Sequence, residues 1–469
     1  MQKKEGLRVH EKDTIAAIST PLGEGGIGIV RMSGPGTFSI AEKVFEKSSS
    51  KEDNYPAARK LYHGFIFNKN RQKIDEVLVA FMPAPYTYTR EDVVEINCHS
   101  GIITLRMILE TLMDAGCRLA EPGEFTKRAF VNGRIDLSQA EAVMNIIKAR
   151  SEEALQYAVK GLQGELSDKI KKIRGEINEV RAPLEASFDY PEEFDSQLLD
   201  ELNAENQLES IKAMIEDLLE SVERSKAYTE GVSVAIIGRP NVGKSSLLNV
   251  ILKQQKAIVH EMPGTTRDML EGFINLGGYP INLVDTAGIQ GTDDPVEKEG
   301  ILRSKQAAER AKLLIMVFDG SSPWSKMDEE ILKLKSDQQG LVVVVNKSDL
   351  ERTLTRERLE ENIDHGEVIE TSAVKGEGID LLEKAVTRQL DRMLGHNEEA
   401  TVMVTLRHKN ILEEALLSVS EAKEELNEQP PEIISLSLQQ AWQKMGEITG
   451  ETMNEDLLDH IFSEFCLGK

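Results

Sequence analysis

Gly238-Arg239-Pro240-Asn241-Val242-Gly243-Lys244-Ser245 has the spacing G-x-x-x-x-G-K-[ST], with the apolar run Val232–Ile237 before it and a helical stretch over 246–252 after it. Glycine at both ends lets successive backbone N–H groups curl around phosphate oxygens at a helix N-terminus. In that geometry Lys244 reaches the β- and γ-phosphates and the Ser245 hydroxyl ligates Mg²⁺, while Asn241, Val242, Gly243 and Ser246 complete the cradle. The runs 232–237, 281–284, 313–318, 341–345 and 368–369 are almost continuously apolar, as strands of a parallel sheet covered on both faces must be. An α/β module over 228–398 is expected.

The segments after the later strands select the base. Asp285-Thr286-Ala287-Gly288 comes after the run 281–284, which puts Asp285 in the Mg²⁺ shell and the Gly288 N–H near the γ-phosphate. Asn346-Lys347-Ser348-Asp349 comes after 341–345, and Asp349 can accept hydrogen bonds from both N1–H and the 2-amino group of guanine. Adenine lacks that donor pair and would leave the carboxylate unpaired. Asn346 is expected at N7, the Lys347 stem over the ring, and Ser372-Ala373-Val374 closing over O6 through backbone N–H groups. Four motifs in this order resemble the GTPase superfamily, which makes the nucleotide GTP. In Gly264-Thr265-Thr266-Arg267-Asp268, the Thr266 hydroxyl can complete the Mg²⁺ shell, and Arg267 reads as a surface arginine beside Asp268. Many GTPases orient water with a Gln after Asp-x-x-Gly. Ile289 stands there and cannot polarise water, so Asp293, Asp294, Glu297 and Glu299 are the candidates.

The chain has 469 residues, with 56 Lys+Arg against 80 Asp+Glu and a formal charge of −24. Residues 1–125 carry 16 basic and 17 acidic side chains, so the excess negative charge lies beyond them. Such a field disfavours loose, sequence-independent binding of nucleic acid. Three cysteines, Cys98, Cys117 and Cys466, cannot form a disulfide framework, and no apolar run reaches the roughly 18 residues of a membrane span. With no signal-peptide core at the start, a cytoplasmic protein without membrane attachment is expected. Strands are expected over 14–20, 27–32, 77–82 and 93–98, and a helix over 102–115, giving an α+β domain over 1–125. Ser138 with Glu141 suggests a capping box, followed by one long helix whose stripe runs from Leu155 and Val159 to Leu184. Helices are further expected over 204–227, 411–426, 436–446 and 455–465, so that 126–227 and 399–469 form a discontinuous helical domain. The fold class is multidomain α/β plus all-α, with a Ras-like P-loop domain inserted into the helical one.

This order of domains resembles the MnmE/TrmE family of tRNA-modification GTPases over the whole chain. The resemblance rests on Asn241, Gly264–Asp268, Asp13-Thr14-Ile15, the stretch Gly25–Arg31, Glu91-Asp92-Val93-Val94-Glu95, Pro122-Gly123-Glu124-Phe125 and the tail Cys466-Leu467-Gly468-Lys469. It implies that residues 1–125 bind a tetrahydrofolate derivative, 5-formyl- or methylene-tetrahydrofolate, and dimerise. It further implies a flavin-dependent, MnmG-type partner in a heterotetramer or larger assembly. Together they would place an aminomethyl or carboxymethylaminomethyl group on C5 of the wobble uridine (U34) of certain tRNAs. The G domains of such proteins dimerise with K⁺ bound where an arginine finger would act.

Carried over by position, the K⁺ ligands are Asn241, His260, Met262 and Thr265, within a loop of His260, Glu261, Met262, Pro263, Gly264 and Thr265 that also encloses GTP. Glu297 becomes the water-orienting carboxylate. Arg31, Glu95, Arg134 and Lys469 are the folate positions, and Cys466 is a catalytic position whose role is open between nucleophile and positioning group. Cys98 and Cys117 are expected in the core. A GTP-regulated ribosome-assembly or RNA-binding GTPase is the alternative from another class.

Overall fold

The computed structural model describes residues 13–48, 59–189, 203–254, 273–284, 297–337, 339–354, 367–395, 402–426 and 428–468. Two compact units emerge, one within 1–144, 167–178 and 439–469, the other within 145–166 and 179–438. The helices in chain order are α1 Thr37–Val44, α2 Ile102–Asp114, α3 Glu124–Val131, α4 Leu137–Lys148, α5 Glu152–Gln163, α6 Glu165–Asp189 and α7 Ala204–Thr229. They continue as α8 Lys244–Gln254, α9 Glu297–Arg310, α10 Lys326–Leu332, α11 Ile379–Leu394, α12 Leu406–Glu425, α13 Pro431–Thr449 and α14 Glu455–Ser463.

The first unit contains a seven-stranded sheet ordered β3-β4-β5-β6-β2-β1-β7. Its strands are β1 Ile15–Ile18, β2 Gly28–Ser33, β3 Phe45–Lys47, β4 Leu61–Phe67, β5 Lys73–Met82, β6 Val93–Cys98 and β7 Arg118–Leu119. All pairs are antiparallel except β1 with β7. Alternation along the strands buries Val30, Met32, Val79, Phe81, Val94 and Ile96 with Ile40 of α1 and Leu105 and Ile108 of α2.

The capping box expected at Ser138 and Glu141 forms instead at Asp136 and Gln139. Asp136 Oδ1 accepts from the Gln139 backbone N–H, and Gln139 Oε1 accepts from the Asp136 N–H. Ser138 hydrogen-bonds the Asp136 carboxylate and the Ser167 hydroxyl, because an Asp three residues before a Gln satisfies both orphan donors at once.

Three acidic residues from three separate segments converge on Arg128, which is 1% exposed. Its guanidinium donates to Asp13 (2.7 Å), Glu91 (3.1 Å) and Glu124 (2.9 Å), and Arg118 also bridges Asp13 and Glu124. The start of β1, the turn before β6 and the first turn of α3 are thereby joined at one charge.

The second unit holds a six-stranded sheet ordered β13-β12-β11-β8-β10-β9. These are β8 Val232–Ile237, β9 Phe273–Leu276, β10 Tyr279–Leu283, β11 Leu313–Asp319, β12 Gly340–Asn346 and β13 Glu367–Glu370. Val234, Ile236, Ile315, Val317, Val342 and Val344 pack with Leu247, Leu248, Ile251, Leu382 and Val386 from α8 and α11. The alternate residues Ala235, Ile237, Leu314, Met316, Phe318, Val343 and Val345 meet Ala307, Ala308 and Ile331 from α9 and α10. Burial on both faces explains the unbroken apolar runs.

Strand β10 covers the run expected from Ile281, whereas β9 lies outside the strands expected from periodicity, and β9 pairs with β10 in an antiparallel hairpin within an otherwise parallel sheet. Its turn is Gly277-Gly278 with φ of +59° and +89°, the left-handed conformations a two-residue hairpin requires. A Cβ on Gly277 would lie 1.7 Å from Thr387 Oγ1. Tyr279 stacks on Tyr228 at 4.8 Å, and Tyr228 packs at a tilt against Tyr157 at 4.8 Å, which seats the hairpin against α5 and α7.

The expected single stripe is broken at Gly164, whose φ of +97° separates α5 from α6. Across that break the helical phase changes. In α5 the buried positions are Ala154, Ala158 and Gly161, leaving Leu155 and Val159 exposed at 42% and 37%. From Leu166 to Leu184 the stripe is buried as expected. Helices α7 and α12 lie together, with Lys423 paired to Glu209 at 2.6 Å and the Val404 N–H on Ser225 Oγ at 2.9 Å.

Replacing Arg128 by Met should destabilise the first unit by about 3–5 kcal/mol, because three carboxylates lose their common partner. Burial raises the pKa of Asp13 and of Glu124, but hydrogen bonds from Arg118 and Arg128 outweigh it and hold both below the ordinary range. Their stabilisation is therefore complete above about pH 4, the ordinary carboxylate value, and is lost as pH falls through the depressed values. Urea unfolding followed through Trp442, with Trp324 replaced by Phe, reads this; Arg128→Met should lower stability at pH 7 and flatten its decline toward acid.

Candidate functional site

Strands β8, β11 and β12 end side by side, with Asp319 opposite Asn346 in the β11–β12 register. The carboxyl edge of an open parallel sheet is where such folds bind ligands. The loop after β8 is held close to β11: a Cβ on Gly238 would lie 2.4 Å from the Val317 carbonyl oxygen. Asn241 (φ +66°) and Gly243 (φ +100°) give the loop its left-handed bends. Lys244 Nζ donates to the carbonyl oxygens of Gly238 (2.8 Å) and Arg239 (2.9 Å), and burial pushes its pKa down to about 8. A desolvated ammonium whose acceptors among the described residues are neutral carbonyls is poised for a polyanion. Val242 is buried, while Asn241, Ser245 and Ser246 are exposed on the rim of the loop.

The base end is assembled around Asn346, which is buried. Its Nδ2 donates to the Val242 carbonyl at 2.8 Å, and its Oδ1 accepts from the Ala373 N–H (3.1 Å) and Thr371 Oγ1 (3.3 Å). A Cβ on Gly243 would lie 2.2 Å from that same Nδ2, so glycine is required there by space as well as by φ. One hydrogen of Nδ2 serves Val242, and the second is the one suited to a purine N7. Asp349 accepts from Ser372 Oγ at 2.6 Å, which holds its pKa below the ordinary range. Lys347, at φ +65°, pairs with Asp319 Oδ2 at 2.7 Å. The Ser348 N–H donates to the Thr371 carbonyl, Ala373 is buried and Val374 is 85% exposed.

Val242, Gly243, Lys244, Asn346, Lys347, Asp349, Ser372 and Ala373 are thus brought to one edge of the sheet. Glu297 is the first residue of α9. His260, Glu261, Met262, Pro263, Gly264, Thr265, Thr266, Asp285, Thr286, Ala287, Gly288 and Lys469 lie outside the described residues. Asp319 and Thr371 were not anticipated. For Asp319 a signal existed: an acidic residue closing an otherwise all-apolar strand of a parallel sheet.

A second cluster lies in the first unit. Arg31 and Glu95 sit opposite one another on β2 and β6, with Arg31 Nε donating to Glu95 Oε1 at 2.8 Å. The Arg31 guanidinium lies 6.0 Å from the Tyr88 ring centre and 5.8 Å from that of Phe125, and Arg134 lies 4.7 Å from Tyr88. Two of the positions carried over from the family, Arg31 and Arg134, therefore lie over Tyr88, which spacing alone did not mark, and Glu95 pairs with Arg31. The chain's tail runs beside them. Ser19 Oγ donates to the Gly468 carbonyl (3.2 Å), the Gly123 N–H to the Cys466 carbonyl (3.4 Å), and a Cβ on Gly468 would lie 2.3 Å from the Ile18 carbonyl oxygen. Cys466 is exposed, whereas Cys98 and Cys117 are buried and burial pushes both thiols up to about 12. Those two are packing residues.

Comparison with known proteins covers nearly the whole chain. The family model of the MnmE helical domain matches residues 137–466, and that of the GTP-binding protein TrmE N-terminus matches residues 14–134. The chain is similar to the tRNA modification GTPase MnmE of Bacillus licheniformis, 44% identical over 461 residues that cover 97% of this chain and 100% of the relative. It is also 43% identical to the tRNA modification GTPase MnmE of Clostridioides difficile, over 97% of this chain and 99% of that one. With the phosphate loop, Asn346–Asp349 and Ser372-Ala373 on one sheet edge and both family segments matched, the chain belongs to the MnmE (TrmE) family of tRNA modification GTPases.

Proposed function

We propose that the protein hydrolyses GTP as one component of a tRNA-modifying assembly. With a flavin-dependent, MnmG-type partner it takes part in adding an aminomethyl or carboxymethylaminomethyl group at C5 of the wobble uridine. The observation that carries the GTP reading is the base end held by Asn346, with Asp349 oriented by Ser372. Asp349 accepts from N1–H and the 2-amino group, and Asn346 and the Ser372–Val374 backbone flank the other edge. Lys244 exchanges loop carbonyls for phosphate oxygens.

In this reading residues 228–398 bind and hydrolyse GTP, 126–227 with 399–469 form the helical domain, and 1–125 bind folate and pair two protomers in the cytoplasm. Among the described residues no helix is long and apolar enough to cross a membrane. Ser245 and Thr266 would hold Mg²⁺ with Asp285 helping to hold its shell, and Glu297 would orient the attacking water. Asn241, on the exposed rim of the phosphate loop, has the amide oxygen that a K⁺ site takes, and His260, Met262 and Thr265 complete the set. When bound, the two cations offset the charge that develops between the β- and γ-phosphates.

The cluster around Tyr88 suits a reduced folate. Glu95 is an acceptor for the guanine-like amide edge of a pterin, Arg31 and Arg134 match anionic groups, and the Tyr88 and Phe125 rings offer flat apolar surface. A bound folate would supply the one-carbon unit, and the backbone contacts of Cys466 with Gly123 and of Gly468 with Ser19 hold the tail to the same unit. A GTPase that only assembles ribosomes has no use for this arrangement, which is why the modification reading is preferred.

Two outcomes test the reading. Asp349→Asn offers guanine an amide in place of two acceptor oxygens, so GTP binding should weaken about 100-fold or more and preference should move toward XTP, whose 2-oxo group accepts. Unchanged GTP-over-XTP selectivity contradicts the assignment. GTP turnover in KCl should exceed that in NaCl at equal ionic strength by at least about tenfold. Equal, slow rates in the two salts contradict the cation site and favour the assembly-factor alternative.

A further inference from the structure

We infer that Asp319 is a positioning residue for guanine recognition, holding the aliphatic stem of Lys347 in place as one wall of the base slot. The inference rests on the GTP reading above and concerns a residue that belongs to none of the four nucleotide motifs.

Asp319 ends β11 directly opposite Asn346 at the end of β12, which puts it one residue from Lys347 across the register. It is buried, at 7% exposure, and both its oxygens are engaged. Oδ1 accepts from the Ser321 N–H (2.9 Å) and Ser321 Oγ (2.6 Å), while Oδ2 accepts from Lys347 Nζ (2.7 Å) and Ser322 Oγ (3.2 Å). The carboxylate is fixed before it meets the lysine. Burial raises its pKa, but the Lys347 and Ser321 hydrogen bonds outweigh that and keep it ionised.

Lys347 is constrained from its other end as well. Its φ of +65° is one that few non-glycine residues adopt, and its carbonyl accepts from the Leu350 N–H at 3.1 Å. With the backbone fixed by that turn and Nζ anchored on Asp319, the four-carbon stem between them has little freedom left. An unanchored lysine sampling many rotamers would have to be ordered at each binding event, which weakens association. Asp319 removes that requirement in advance. It also directs the ammonium to the sheet edge and away from Asp349, whose own partner is Ser372.

A wall acts on the face of the base, whereas Asp349 acts on its edge, and the two predict different signatures. Asp319→Asn preserves shape and the Ser321 contacts but loses the anchor for Nζ. It should raise Kd for GTP and GDP alike by about tenfold, raise KM with kcat unchanged, and leave the preference for GDP over IDP as it was. Lys347→Met should weaken binding by a similar factor, and Asp319→Asn added to Lys347→Met should weaken it no further, because the two act as one unit. The thermal midpoint of each variant reports whether the fold is retained. Kd within twofold of the parent for Asp319→Asn, or losses that multiply in the double variant, overturns the inference. A fall in the GDP-over-IDP preference also overturns it, since that would assign Asp319 to the edge. Because the Asp349→Asn test reads selectivity and this cycle reads affinity at constant selectivity, failure of one reading is distinguishable from failure of the other.

Discussion

The amide of Asn346 is buried at the end of β12, and its two polar atoms reach segments distant in sequence. Nδ2 meets Val242 in the phosphate loop, and Oδ1 meets Thr371 and Ala373 in the loop after β13. A buried amide with unmet donors and acceptors is costly, so the three strand ends are locked to one arrangement. The remaining features of the nucleotide edge depend on it. Gly243 must lack a side chain because Nδ2 occupies the space, and Ser372 can face Asp349 because Ala373 is tied down. Lys347 then turns in the left-handed conformation that sends it to Asp319.

The first unit uses charge where the second uses an amide. Arg128, itself buried, gathers Asp13, Glu91 and Glu124, and buried ion pairs contribute little net stability compared with apolar packing but are intolerant of losing a member. Their effect is to specify position. The start of β1, the turn before β6 and the start of α3 are held in one relation, and Arg31, Glu95, Tyr88 and Phe125 lie on or beside those same elements. The tail is accommodated by the close approaches at Gly123 and Gly468.

Much of this architecture is legible in the amino-acid sequence, and the exceptions have physical reasons. Strands β8 and β6 fall on the residues expected, because burial on both faces, or strict alternation over a core, leaves a local signature. Strand β9 and its turn into β10 leave little signature, because β9 has only four residues and Pro280 precedes the run expected from Ile281; the Gly277-Gly278 pair is the available clue. The helix break at Gly164 was hidden because Leu155 and Val159 keep the spacing of the later stripe while pointing away from the core. Asp13, Glu91 and Glu124 stood out as family-bearing residues, yet their convergence on Arg128 is a tertiary fact that no one-dimensional spacing carries. The nucleotide motifs were readable since each is contiguous and tied to a strand end. Tyr88, Asp319 and Thr371 were not, because each acts through a partner far away in the chain.

The most direct measurement is the affinity of Asn346→Ala for GTP and GDP, taken with its circular dichroism and heat unfolding. Loss of two to three hydrogen bonds of about 1 kcal/mol each should weaken both nucleotides by roughly 100-fold, with the secondary structure retained. Affinity within about threefold of the parent in a folded variant would contradict the conclusion that this amide joins the phosphate and base ends of the site.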